Sequence, residues 1–204
     1  PIDNFKVLNA SLFVAAFLAK LSTIINEGQY SELSLKVVRY TLSEQNNDGS
    51  FPYWGAEPHT IIDHYHTGFV LRHLDTIHKS THEDFILEPL RRGYSFYLEK
   101  LFTIKGVPKY TPDALYPIDV HSLSEAILCL TQISFNLKDQ ELIEKVLNFS
   151  LNNLLTKQGY YIASINKFLC FKQKQNIPYM RWGQAWMFLA LARLNEKLTS
   201  KGGN

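Results

Sequence analysis

The chain has 204 residues, 46% of them apolar and 20% charged, with a formal charge of +2 at neutral pH. That length suits one domain with a real hydrophobic core. A near-neutral balance without a face-long basic run gives no support to nucleic-acid or membrane-surface binding.

The most apolar run, LFVAAFLA at 12–19, is shorter than the roughly 20 residues that a bilayer span needs. It also lacks a signal-peptide cleavage pattern. A protein without a membrane span, cytoplasmic in location, is the expectation. Opening on Pro1 rather than Met, the chain reads as a trimmed protein or the C-terminal part of a longer one. Helical periodicity predicts helices near 5–26, 31–45, 65–79, 84–102, 121–136, 140–155 and 181–198. Residues 1–198 are then a single domain and 199–204 a disordered tail.

The helices are of two kinds. Phe5–Leu21 and Trp182–Leu194 are apolar nearly all round and should be enclosed. The segments SELSLKVVRYTLSEQ and DQELIEKVLNFSLNNLL each carry one stripe, Leu33/Val37/Tyr40 and Ile143/Val146/Leu147/Ser150/Leu154. Enclosed and striped helices alternate, with short turns after the enclosed ones, as antiparallel neighbours require. PID at 1–3, IID at 61–63 and PID at 117–119 repeat at intervals of 60 and 56 residues, and IPYMRWGQAW at 177–186 is a fourth, altered copy. Gly-bearing aromatic loops precede three of the four. A repeat of about 56–60 residues carrying one inner and one outer helix predicts an all-α fold, an α/α toroid or an arc of one.

Parallel inner helices would gather their N-termini on one rim, where unpaired N–H groups and helix dipoles suit anions and hydroxyl oxygens. Asp63, His64 and His66, Asp119 and His121, and Arg181, Trp182 and Gln184 stand at those starts. The stretch IIDHYHTGF adds Tyr65, and the long loops add Phe51, Tyr53, Trp54, Tyr110, Tyr116, Tyr160, Tyr161 and Tyr179. Aromatic rings, carboxylates and a guanidinium are what a saccharide or other polyhydroxylated ligand needs.

Simpler roles compete for the same residues. Asp63 and Asp119 precede helices and suit N-capping, while Ser122 and Glu125 have capping-box spacing. His66 shares a stripe with Val70, Leu74 and Ile77, as a core-edge histidine would, and His73 reads as polar decoration. Burying Arg181 before an apolar helix would demand an anionic partner. His64 and His66 lack further ligands at metal-site spacings, so neither metal nor cofactor is expected. Cys129 on its apolar helix reads as a small hydrophobe; nothing supports a disulfide to Cys170.

The stretch YTLSEQNNDGSF at 40–51 resembles the Gln–Trp motif of the terpenoid cyclase and prenyltransferase repeats, with Phe51 in place of the usual Trp. That likeness implies a structural role for Gln45, Gly49 and Phe51, with the glutamine tying down a helix end. The polyene-protonating acid motif of those cyclases is not visible. A broader likeness rests on DGSFPYW…IDHYHTGFVL, KYTPDALYPIDVHSLSEAI and IPYMRWGQAWMFLALA. Together they resemble bacterial toroid proteins of surface-polysaccharide gene clusters, some of which carry the name delta-aminolevulinic acid dehydratase; no barrel pattern supports that chemistry here. The same likeness is similar in architecture to six-hairpin glycosidases, glucuronyl epimerases and polysaccharide lyases. It implies a site at Asp63, His66, Asp119, His121 and Arg181.

Three functions follow as expectations. The first is a carbohydrate-active protein of polysaccharide metabolism that binds uronate-containing glycans and acts as a lyase, hydrolase or epimerase. His66 or His121 would move the proton, Asp63 and Asp119 would be candidate paired carboxylates, and Arg181 would neutralise a sugar acid. Tyr53, Trp54, Tyr65, Tyr110, Tyr116, Tyr179, Trp182 and Gln184 would line the cleft. The second is a non-catalytic glycan- or protein-binding module; under any of the three a homodimer is an option. The third and weakest is a terpenoid or prenyl-substrate protein.

Overall fold

Seven α-helices carry most of the described chain: α1 (Leu8–Ile25), α2 (Gly28–Ser43), α3 (His64–Thr81), α4 (Leu87–Lys100), α5 (Val120–Ile133), α6 (Leu137–Asn153) and α7 (Ala185–Lys201). The computed structural model describes residues 7–53, 61–134 and 136–201. The chain divides into two compact units, one up to Lys100 and one from Leu101 onward. Every predicted helix is present. The last continues three residues past the expected end at 198.

In the first unit α1 packs on both α2 and α3, and α3 on α4. Leu8, Leu12, Ala15, Ala16 and Ala19 form the buried row of α1, at the three-to-four-residue spacing that keeps one face inward. α2 buries Ser34, Val38 and Thr41, whereas Leu33 and Tyr40 are exposed at 48% and 46%. The predicted stripe is therefore off by one residue. Small side chains suit close packing on the alanine-rich row of α1, and that fit outweighs the apolarity of Leu33 and Tyr40.

In the second unit α5 is buried at every position from Val120 through Thr131 and packs on α6 and α7. α6 buries Ile143, Val146 and Ser150, with Leu154 just beyond it; of the predicted stripe only Leu147 falls short, half-buried. A three-stranded antiparallel sheet, β1 (Ile118–Asp119), β2 (Ser164–Phe168) and β3 (Phe171–Gln175), joins them in the order β1-β2-β3. None of this sheet is expected from the sequence, where helical periodicity stops near 155 and resumes at 181 with loop between. Tyr179 closes a π-helical turn, Met180–Gln184, that leads into α7. Gly183 in that turn sits so near α5 that a Cβ there would meet Val120 Cγ1 at 3.1 Å.

The repeat survives in hydrogen bonds. After α2, Asn46 N–H donates to Ser50 O and Gly49 N–H returns to Asn46 O. After α4 the same pair links Thr103 with Val107 and Gly106, and after α6 Thr156 with Tyr160 and Gly159. The three glycines have φ of +91°, +76° and +87°, a region that side chains disfavour. In the first turn Gln45 Nε2 donates to Gly49 O and Pro89 O, both at 2.9 Å, and Arg92 donates to Gln45 Oε1 at 2.7 Å. Gln45 thus fixes the end of α2 to α4, the structural role that the motif implies, and Phe51 is buried beside it.

One expectation fails. α1 and α7 are not enclosed: Phe13, Val14 and Phe17 are exposed at 58%, 57% and 61%, and Phe188 at 76%. α1 has neighbours in α2 and α3, and α7 in α5; neither is surrounded as α5 is. α1 is also long and apolar enough to cross a membrane by length and composition. Its alanine row, however, is packed against other helices.

Candidate functional sites at the starts of α3 and α5

Asp63 is in extended conformation immediately before α3, with φ −121° and ψ 168°. Its Oδ1 accepts the backbone N–H of His66 at 2.9 Å, and its Oδ2 lies 2.6 Å from His66 Nδ1. Thr67 adds a hydroxyl donated to Asp63 O at 2.6 Å. The carboxylate is nearly buried and the imidazole side chain keeps 11% exposure. Such a carboxylate selects the tautomer with the proton on Nδ1 and leaves Nε2 as the acceptor. N-capping, the simpler role, is therefore real, and the second oxygen orients the ring as well.

Tyr53 stacks on the His66 ring at 3.2 Å between centroids and 10° between planes, while Tyr65 approaches at 4.1 Å and Phe69 edge-on at 6.2 Å. Tyr53 is held by its N–H, which donates to Ile61 O. Burial, and then the charge of Asp63, push the Tyr53 hydroxyl above its usual pKa, so it is a proton donor throughout the neutral range. Asp63, His66, Tyr53 and Tyr65 are thus brought together. Trp54 and His59 lie outside the described residues. His64 turns the other way: it is fully buried, with Nδ1 3.4 Å from the Tyr97 hydroxyl.

His73 is not surface decoration. It is buried between Phe13, edge-on at 5.0 Å, and Phe69, stacked at 6.4 Å. Burial, with Arg72 and Lys20 adding to it, lowers its pKa to about 3.

The corresponding start in the second unit is built differently. Asp119 ends β1, which pairs with β2 through Ile118–Ile165 and Asp119–Ser164. Its Oδ1 accepts His121 N–H at 2.6 Å and Ser122 N–H at 3.1 Å. Helix α5 therefore starts at Val120, capped by Asp119, and the expected capping box at Ser122 and Glu125 does not form. Glu125 lies a full turn inside the helix and is fully buried. A capping box does occur at Asn136 and Asp139, ahead of α6.

His121 lies against two indoles, Trp186 stacked at 5.1 Å and Trp182 tilted at 5.8 Å. The Arg181 guanidinium sits 5.8 Å from the Trp182 ring. Arg181 is exposed, so the expectation of a buried cation that demands an anion is wrong; solvent carries its charge. Gln184 donates to Tyr161 O at 2.7 Å and accepts its N–H at 2.9 Å. That clamp gives Gln184 a structural role in holding Tyr161 to the turn before α7. Tyr110 and Tyr116 are half-buried and Tyr179 exposed. Trp186 is the member that sequence reasoning missed, although its place four residues after Trp182, one helical turn on, was a usable signal. Among the described residues no group of three or more His, Cys, Asp or Glu could hold a metal ion.

No family model matches the chain, and no curated protein matches it. Solved structures do. A heparin-specific unsaturated glucuronyl hydrolase superposes with TM-score 0.71 at 13% identity, over 94% of this chain and 60% of its own. The cellobiose 2-epimerase of Bacillus thermoamylovorans gives 0.73 at 9%, over 97% and 61%. A D-mannose isomerase gives 0.73 at 12%, over 97% and 56%. The fold is the α/α toroid. Within it, this chain spans about three fifths of the length of these neighbours. The likeness to six-hairpin glycosidase-like proteins therefore holds for the architecture. At such low identity it carries no residue roles.

Proposed function

We propose that the chain is a carbohydrate-active protein in which the Asp63–His66 pair moves a proton on a bound sugar. The observation that carries this reading is the double use of Asp63. A cap needs one oxygen; the other is placed on the imidazole at 2.6 Å, which is how a general base is oriented. Proton transfer at a sugar carbon, as in epimerisation, isomerisation or elimination, suits a histidine with a tyrosine donor stacked on it. Hydrolysis by paired carboxylates suits it less, because both Asp63 oxygens are engaged and the residue is 3% exposed. Fold neighbours that act on carbohydrates support the class of ligand.

The finer part of the proposal is a preference for uronate units. Its support is separate from the Asp63–His66 pair and lies within the second unit, where the exposed Arg181 and Trp182 offer a cation and a ring face of the kind an acidic sugar takes. Those exposed groups also favour a second reading, a module that binds glycans without turning them over.

The test is exchange of sugar C–H protons in deuterated water, followed by NMR over a panel of neutral and uronate mono- and disaccharides. Exchange that disappears in His66→Gln at an unchanged melting temperature supports the proposal. Sugar binding without exchange selects the binding module. Exchange that persists in His66→Gln removes His66 from the chemistry.

A further inference from the structure

The β2–β3 hairpin breaks three local rules at its tip. Two-residue hairpin turns need φ > 0 and favour Asn-Gly or Asp-Gly, yet Leu169 and Cys170 form this one, with Leu169 at φ +48°. A leucine in that conformation is strained, and here it is 93% exposed. Phe168 and Phe171 beside it, 50% and 58% exposed, face each other at 6.0 Å. The next cross-strand pair is Lys167 opposite Lys172, both exposed. Like charges directly opposite each other destabilise a ladder.

Strain, exposed apolar surface and like-charge pairing each cost stability, and departures of this kind gather where a segment has a function. The charge on the hairpin and along the chain to either side of it points to the function. From Lys145 to Asn195 the sequence holds no Asp or Glu but contains Lys145, Lys157, Lys167, Lys172, Lys174, Arg181 and Arg193. The near-neutral total conceals this strongly basic stretch. Lys174 is held by Asn153 O, and Lys172 lies 6.0 Å from the Tyr116 ring.

We propose that this hairpin docks the protein on an anionic membrane surface, with Phe168, Leu169 and Phe171 seated in the interface and Lys167 and Lys172 against lipid phosphates. An apolar tip set in a collar of lysines complements the two layers of such a surface, acyl boundary and headgroup. A soluble acidic polymer would satisfy the lysines but leave the Phe-Leu-Cys-Phe tip in water. The docking is peripheral and needs no spanning helix.

Vesicle co-sedimentation tests it, using phosphatidylcholine alone and phosphatidylcholine with about 30% phosphatidylserine in about 0.15 M salt. The full chain should bind the anionic vesicles at least about tenfold more strongly. Leu169→Asn relieves the backbone strain, because asparagine tolerates the left-handed region, yet it should weaken binding about tenfold. Lys172→Glu creates an opposite-charge pair with Lys167 and removes two charge steps, so binding should fall more than about tenfold, with the melting temperature held or raised. Equal binding to both vesicles, no binding to either, or indifference to Leu169→Asn overturns the proposal. So does preferential binding to heparin that Leu169→Asn leaves intact, which assigns the lysines to a soluble polyanion.

Discussion

Asp63 serves His66 twice, through a backbone N–H at 2.9 Å to one carboxylate oxygen and a ring nitrogen at 2.6 Å from the other. The two contacts separate under substitution. Asparagine is as good a cap as aspartate, so Asp63→Asn should hold stability within about 0.5 kcal/mol. The fixed imidazole tautomer should be lost, which nitrogen-15 spectra of the His66 ring will read. An unaltered tautomer would show that the cap is the residue's whole role.

Gln45 bridges α2 and α4 through two donated bonds and one accepted bond. Gln45→Ala should cost about 2 kcal/mol in urea denaturation. Gln45→Glu should cost at least as much, despite a new ion pair with Arg92, because it points an acceptor at the Gly49 and Pro89 carbonyls. A neutral Gln45→Glu would mean that Arg92 dominates the junction.

The three turn glycines share a conformation but not a neighbourhood. A Cβ at Gly49 would lie 2.5 Å from Arg92 O, one at Gly106 would lie 2.7 Å from Lys145 Cβ, and one at Gly159 would meet nothing within 4 Å. Alanine at Gly159 should therefore cost only the backbone strain, about 1–2 kcal/mol. Gly106→Ala should cost more and Gly49→Ala most, since backbone yields less readily than side chain. Thermal melts of the three variants test the order.

His73 has a folded-state pKa of about 3 against an ordinary 6.5. The unfolded chain therefore takes up this proton first, so stability falls as pH drops from 6.5 toward 3 and is fully present above 6.5. Between about pH 6.5 and 5 the loss from this group approaches 2 kcal/mol. His73→Leu should flatten that part of the urea-midpoint profile. An unchanged slope would place the pH sensitivity elsewhere.

Helix count and approximate bounds were legible because long periodic segments announce themselves; the enclosure of α1 and α7 was not, because an all-round apolar sequence does not say how many neighbours a helix will have. The capping roles of Asp63 and Asp119 were legible too, from their place just ahead of apolar helices. The inward face of α2 was not, because Ser34 and Thr41 are buried for their size rather than their apolarity. The β2–β3 hairpin escaped because its turn is Leu-Cys, without the glycine or asparagine by which such turns are recognised. The Asp63–His66 contact had a visible spacing, but only coordinates show the second oxygen reaching the ring. Arg181 was misjudged because its neighbours are apolar in sequence while the side chain itself stays in water.

The glycine turns after α2, α4 and α6 close their own hydrogen bonds before the chain goes on. Each acts as a buffer between scaffold and loop, so insertions or sequence drift farther along need not disturb the helix behind it. Residues 110–117, between the second of these turns and β1, are therefore a natural grafting point. A loop from a longer toroid could be transplanted there to retune ligand choice while the helices keep their register.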